Sequence, residues 1–112
     1  MRFYLASAFS LAMLPTKRSE VEVEEVDSLE KVKELARDSV SVVGHESTAR
    51  FLSQLLSMPI QASRVAITLG EGDEVLVFQL LSRLPEGKIL SEQELAQTQF
   101  KFYLVRVKKV VQ

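Results

Sequence analysis

Hydrophobic and polar positions change period several times along the chain, and each change marks an element. Arg2 to Ala6 is a short, mostly apolar run that reads as a strand, and Ala8 to Leu14 as one or two helical turns stopped by Pro15. From Glu20 to Val26, valine and glutamate alternate with period two, the pattern of a half-buried strand. Its acidic face, Glu20, Glu22 and Glu24, suits a solvated edge that resists pairing with other chains. Asp27 and Glu30 stand at capping-box spacing and open a helix through Ala36, with Leu29, Val32, Leu35 and Ala36 as its apolar stripe. Ser39 to Val43 is another β-rich run, broken at Gly44-His45. A second helix from about Glu46 to Ser57, ended by Pro59, buries Phe51, Leu52, Leu55 and Leu56.

Arg64 to Leu69 and Glu74 to Leu81 then flank Gly70-Glu71-Gly72-Asp73, the pattern of a hairpin with a four-residue turn. After the polar segment Ser82 to Lys88, Ser91-Glu92-Gln93-Glu94 is a capping box before a last short helix, and Phe100 to Val107 is the closing strand. Strands and helices mix without regular alternation, and there is no repeat, linker or low-complexity tract. The expected architecture is a single small α+β domain over residues 1–112: a mixed, mainly antiparallel sheet flanked by short helices.

Composition narrows the function classes. The 112 residues are 46% hydrophobic and 26% charged, enough for one core. Fourteen Lys and Arg against 15 Asp and Glu leave a net charge of −1, which argues against tracking a long nucleic acid. An anionic ligand must be small and met by a local cluster. The absence of Cys removes disulfides, thiol catalysis and cysteine-ligated zinc. His45 is the single histidine, so any imidazole acid or base works alone in each subunit. The apolar run Phe3 to Leu14 imitates a secretory signal, but Pro15-Thr16-Lys17-Arg18 follows where small residues belong. A buried first strand and a cytoplasmic protein without membrane contact are the expectation, and no apolar run reaches the roughly 18 residues of a membrane span.

Three places carry candidate chemistry, all at ends of elements. Gly44-His45-Glu46-Ser47-Thr48 joins a strand to a helix: glycine permits a tight turn, and the first amides with two hydroxyls form a seat for phosphate. His45 stands at that seat, and imidazole is the side chain best suited to move a proton near neutral pH. The plainer alternative is Ser47 as a helix cap and His45 as a solvated turn residue. In Ser82-Arg83-Leu84-Pro85-Glu86-Gly87-Lys88, Arg83 offers a planar fork for phosphate, Glu86 a partner for Arg83 or a hydroxyl, and Gly87 a hinge. Ser7 and Ser10, after the first strand, serve either as helix caps or as phosphate or sugar contacts. Arg64 is a further positive group, while Lys101, Arg106, Lys108 and Lys109 read as a solvated strand face.

Taken in order, Tyr4-Leu5-Ala6-Ser7-Ala8-Phe9-Ser10, Gly44 to Thr48, Arg64-Val65, Glu71-Gly72-Asp73 and Ser82 to Leu90 resemble the viral anti-CRISPR ring nucleases over nearly the whole chain, the stretch from Thr16 to Val40 matching poorly. The resemblance implies a homodimer that binds cyclic tetra-adenylate, the second messenger of type III CRISPR defence, and cuts the ring without metal or cofactor. By position, it implies His45 as general acid, Arg83 as the phosphate-stabilising group, and Glu86 and Ser10 beside them. Arg64, Ser47, Thr48, Gln79, Gly44, Ser7 and Lys88 would line the ring-binding site. Ser7 and Ala12 stand where related proteins often carry Asn, and Pro85 where an acidic residue is frequent. Two other readings stand beside it: a binding protein that sequesters a cyclic oligoadenylate or another nucleotide without turnover, and an interaction protein that shares only the fold.

Overall fold

The computed structural model describes residues 2–15, 17–81 and 92–111. Its elements, in chain order, are β1 (Phe3–Ala6), a 3₁₀ turn (Leu11–Met13), β2 (Arg18–Val26), α1 (Leu29–Arg37), β3 (Val40–Ser41), α2 (Glu46–Leu56), β4 (Glu74–Leu80), α3 (Glu92–Gln97) and β5 (Phe100–Val111). The five strands form one mixed sheet in the order β2-β5-β4-β1-β3. β1 lies parallel to both β3 and β4, and β5 antiparallel to both β4 and β2. It follows that β1, β2, β3 and β4 all point one way and β5 alone returns. The antiparallel ladders are the longer ones, as expected.

Each face of the sheet has its own cluster of buried side chains. On one face, Leu5, Leu76, Phe78 and Phe102 meet Val32 and Ala36 of α1 and Ala49, Phe51, Leu52 and Leu56 of α2. Phe51, Phe78, Phe100 and Phe102 are in ring-to-ring contact there, with centroids 5.3–6.0 Å apart. The opposite face, made by Tyr4, Ala6, Val75, Val77, Val105 and Val107, is not covered by α1 or α2. It is covered by Leu69, with Phe9, Met13, Leu14 and Ile67 packed against it. β1 is buried from both sides, which accounts for its unbroken apolar run. Among the described residues no helix is long and apolar enough to cross a membrane.

The hairpin expected from Arg64–Leu69 and Glu74–Leu81 does not form. Both edges of β4 are already taken, by β1 and by β5, so residues 64–69 have no ladder to join. Their alternation serves packing instead: Leu69 is fully buried on the face opposite α1 and α2, and its N–H donates to the Met13 carbonyl at 2.7 Å. The true antiparallel partner of β4 is β5. α1 is capped by Ser28, whose hydroxyl accepts from Lys31 N, and not by Asp27. β2 and β5 run longer than their apolar patterns, because a bulge between Glu20 and Val21 sets Glu20 opposite Lys109 and Glu22 opposite Arg106. Arg106 is held by Glu74 at 2.8 Å and Glu22 at 3.6 Å, and Lys108 reaches Glu22 at 3.5 Å, so charge pairing continues where apolar pairing stops. The acidic face of β2 is thus partly satisfied within the sheet.

Gly70-Glu71-Gly72-Asp73 sits at the amino edge and locks β1 and β5 to the start of β4. Asp73 is the only buried charged residue among those described. Its Oδ1 accepts from Arg2 N and its Oδ2 from Gly70 N, both at 2.8 Å. Gly72 adopts φ 89°, which only glycine tolerates without strain, and its N–H donates to the Val107 carbonyl at 2.8 Å.

Candidate functional site

Because four strands point the same way, the segments that follow β1, β3 and β4 all emerge at one edge. The chain leaves β1 for β2 at the far side of the sheet and leaves β3 for β4 past β1, so both connections run in the same direction across the sheet. Ser7 to Ser10 follow β1, Gly44 to Thr48 follow β3, and Gln79 lies near the end of β4. The sequence-predicted residues within the described part of the chain thus gather at the carboxyl edge. Glu71, Gly72 and Asp73 lie at the opposite edge, where their hydrogen bonds are structural. Arg83, Glu86 and Lys88 lie outside the described residues.

His45 is the N-cap residue of α2, with extended backbone (φ −118°, ψ 132°), and its carbonyl accepts from Ala49 N at 3.0 Å. Among the described residues no side chain caps this helix, neither His45 nor Ser47, so the amides of the first turn keep their donor capacity for an incoming acceptor. Glu46 is the acidic residue in that turn. The imidazole is exposed and Ser47 and Thr48 are half-buried beside it. Gly44 is not in the left-handed region, and a Cβ there would meet nothing within 4 Å. Its glycine is therefore not required by the turn, contrary to the sequence expectation; it leaves open space in front of the helix.

Arg64 reaches this place through the backbone. Ser63 N donates to the Val43 carbonyl at 2.7 Å, and Ser41 Oγ donates to the Gln61 carbonyl at 2.6 Å, so the chain before Arg64 runs beside the end of β3. Arg64 is exposed and pairs with no carboxylate among the described residues. Ser10 caps the 3₁₀ turn, its hydroxyl accepting from Ala12 N at 3.2 Å, while its O–H stays available to donate. Ser7 is half-buried directly after β1. Gln79 is exposed and, by strand alternation with Val75 and Val77, lies on the face opposite α1 and α2, its Nε2 donating weakly to the Leu80 carbonyl at 3.4 Å. Among the described residues no three His, Cys, Asp or Glu side chains gather as a metal site. The arrangement offers one imidazole, one guanidinium, helix amides and several hydroxyls: equipment for a small polyanion.

Two contributors were not legible beforehand. Ser41, hidden in a β-rich run, ties two segments together at this edge. Leu11, Val65 and Leu81 are apolar side chains left 79%, 57% and 53% exposed in the segments after β1, before β4 and at the end of β4.

Comparison with known proteins agrees with this architecture. The chain is 31% identical over 116 aligned residues to the uncharacterized protein ORF116 of Acidianus filamentous virus 1, covering 99% of this chain and all of that protein. It is 33% identical over 107 residues to the uncharacterized protein 26 of a Sulfolobus islandicus filamentous virus, covering 93% and 90% of the two chains. The structure of B116 from Sulfolobus turreted icosahedral virus superposes with a TM-score of 0.80 at 28% identity, over 95% of this chain and 99% of that one. The STIV B116-like family model matches residues 3–103, and the chain belongs to that family, whose members include proteins of archaeal viruses.

Proposed function

We propose that this protein is a metal-independent ring nuclease: a homodimer that binds cyclic tetra-adenylate and cuts it to linear di-adenylate, switching off type III CRISPR signalling. The observation that carries the reading is the convergence of an uncommitted His45, the uncapped start of α2 and Arg64 at one sheet edge. The resemblance to viral anti-CRISPR ring nucleases supplies the identity of the ligand.

The chemistry asks little of the protein. A ribose 2′-hydroxyl lies next to the phosphorus it attacks, so the substrate brings its own nucleophile. In-line attack forms the 2′-O–P bond of a 2′,3′-cyclic phosphate and breaks the bond to the 5′-oxygen, which takes a proton from His45. Arg83 offsets the charge on the pentavalent phosphate, with Glu86 and Ser10 beside it; Ser7, Gly44, Ser47, Thr48, Arg64, Gln79 and Lys88 hold the ring. A two-fold pair of chains presents two such sets to opposite linkages of a four-membered ring. The exposed apolar side chains of Leu11, Val65 and Leu81 support burial of surface against a second copy.

The test is incubation of labelled cyclic tetra-adenylate with parent and His45→Ala proteins, followed by chromatography. His45→Ala is expected to cut at least about 100-fold more slowly while still binding, and a chelator to leave the parent rate unchanged. Ring returned intact by the parent makes the protein a sponge; a rate stopped by chelator overturns the mechanism.

A further inference from the structure

β3 is two residues long, and one hydroxyl explains why. Ser41 Oγ accepts from Val43 N at 3.4 Å, offering that amide a local partner in place of a ladder, so the chain turns out of the sheet after Val42 N has bonded the Leu5 carbonyl at 2.8 Å. The same hydroxyl donates to the Gln61 carbonyl at 2.6 Å. Two residues later Ser63 N closes on the Val43 carbonyl at 2.7 Å. Ser41, Val43, Ser63 and Gln61 thereby form a ring of hydrogen bonds joining two chain segments. His45 is two residues beyond Val43, and Arg64 one residue beyond Ser63. β-branched residues suit an edge strand better than serine, so the hydroxyl at this position has no sheet-forming advantage.

We infer that Ser41 is a positioning residue of the anion site: its hydroxyl sets Arg64 at a fixed place relative to the His45 turn, so that one ligand meets both. This rests on the reading of the carboxyl edge given above. The side chain itself touches no ligand; it acts through Arg64.

The experiment is a double-mutant cycle with the full chain and cyclic tetra-adenylate, read on kcat/KM, or on Kd if the ring is bound and returned intact. Ser41→Ala is expected to lose about five- to tenfold, chiefly in KM, the size of one neutral hydrogen bond. In an Arg64→Ala background the same change is expected to lose less than about twofold, because the group it positions is gone. Ser41→Thr keeps the hydroxyl, and its extra methyl enters an open groove of about 520 Å³ lined by Val40, Met58 and Ile60; parental kinetics are expected. The inference is overturned if Ser41→Ala behaves as parent, if its loss is as large without Arg64, or if folded Ser41→Thr is as impaired as Ser41→Ala. A parent protein that neither binds nor cuts the ring overturns the functional reading, and this inference with it.

Discussion

Removing the Asp73 carboxylate should strip β1 of its anchor at the amino edge. That carboxylate accepts two N–H donors at 2.8 Å, one from Arg2 at the head of β1 and one from Gly70. A hydrogen bond to a charged group contributes about 1.5–3 kcal/mol, and burial of Asp73 argues for the upper end. Both donors, however, belong to exposed residues that water can reach once the carboxylate is gone, which returns each bond to about 1.5 kcal/mol. Asp73→Ala is therefore expected to cost about 3 kcal/mol, and Asp73→Asn, which keeps one acceptor, about half of that. For a domain of this size, about 4 °C in Tm accompanies each kcal/mol, so the expected drops are about 12 °C and about 6 °C. Thermal unfolding followed by circular dichroism measures both. A drop under about 4 °C for the alanine variant, or equal drops for the two, refutes the assignment of Asp73 as a two-donor anchor.

Three other substitutions test the fold. Gly72→Ala introduces a side chain at φ 89° with no neighbour to clash, so backbone strain alone should cost about 1–2 kcal/mol by urea unfolding. Ser28→Ala should lose about 0.5–1 kcal/mol and Asp27→Ala clearly less, which separates the observed cap of α1 from its neighbour in the same titration. Lys101 lies 3.3 Å from Glu25, and that hydrogen bond first, then the charges of Glu25 and Tyr103, hold its ammonium above the ordinary lysine value. Its contribution is complete below the ordinary value and is lost only as pH rises through the raised one. Lys101→Met should therefore show a small stability loss that shrinks with added salt but stays constant from about pH 7 to 9.

The elements that pack by period were legible in the sequence; those defined by tertiary partners were not. α1, α2 and β4 follow their apolar stripes closely. Arg64 to Leu69 carries the same alternation as β4 without being a strand, because alternation reports one buried face and says nothing of a free ladder edge. Asp27 and Ser28 are both competent caps, and their order alone cannot choose between them. The candidate site was legible only as placement: Ser7 and Gly44 to Thr48 follow parallel strands, because chemistry-bearing side chains stood beside element boundaries. Asp73 and Ser41 were not, for their hydrogen bonds span 71 and 20 residues of chain.

β4 and β5 meet at a closed neck: Leu80 is in register with Phe100, and Leu81 N donates to the Gln99 carbonyl at 2.9 Å. The sheet therefore holds Leu81 and Gln99 together whatever joins them along the chain. Lengthening a connection twofold costs only about 0.6 kcal/mol of closure entropy. The strand pairing at this neck is therefore nearly indifferent to the length of chain it closes.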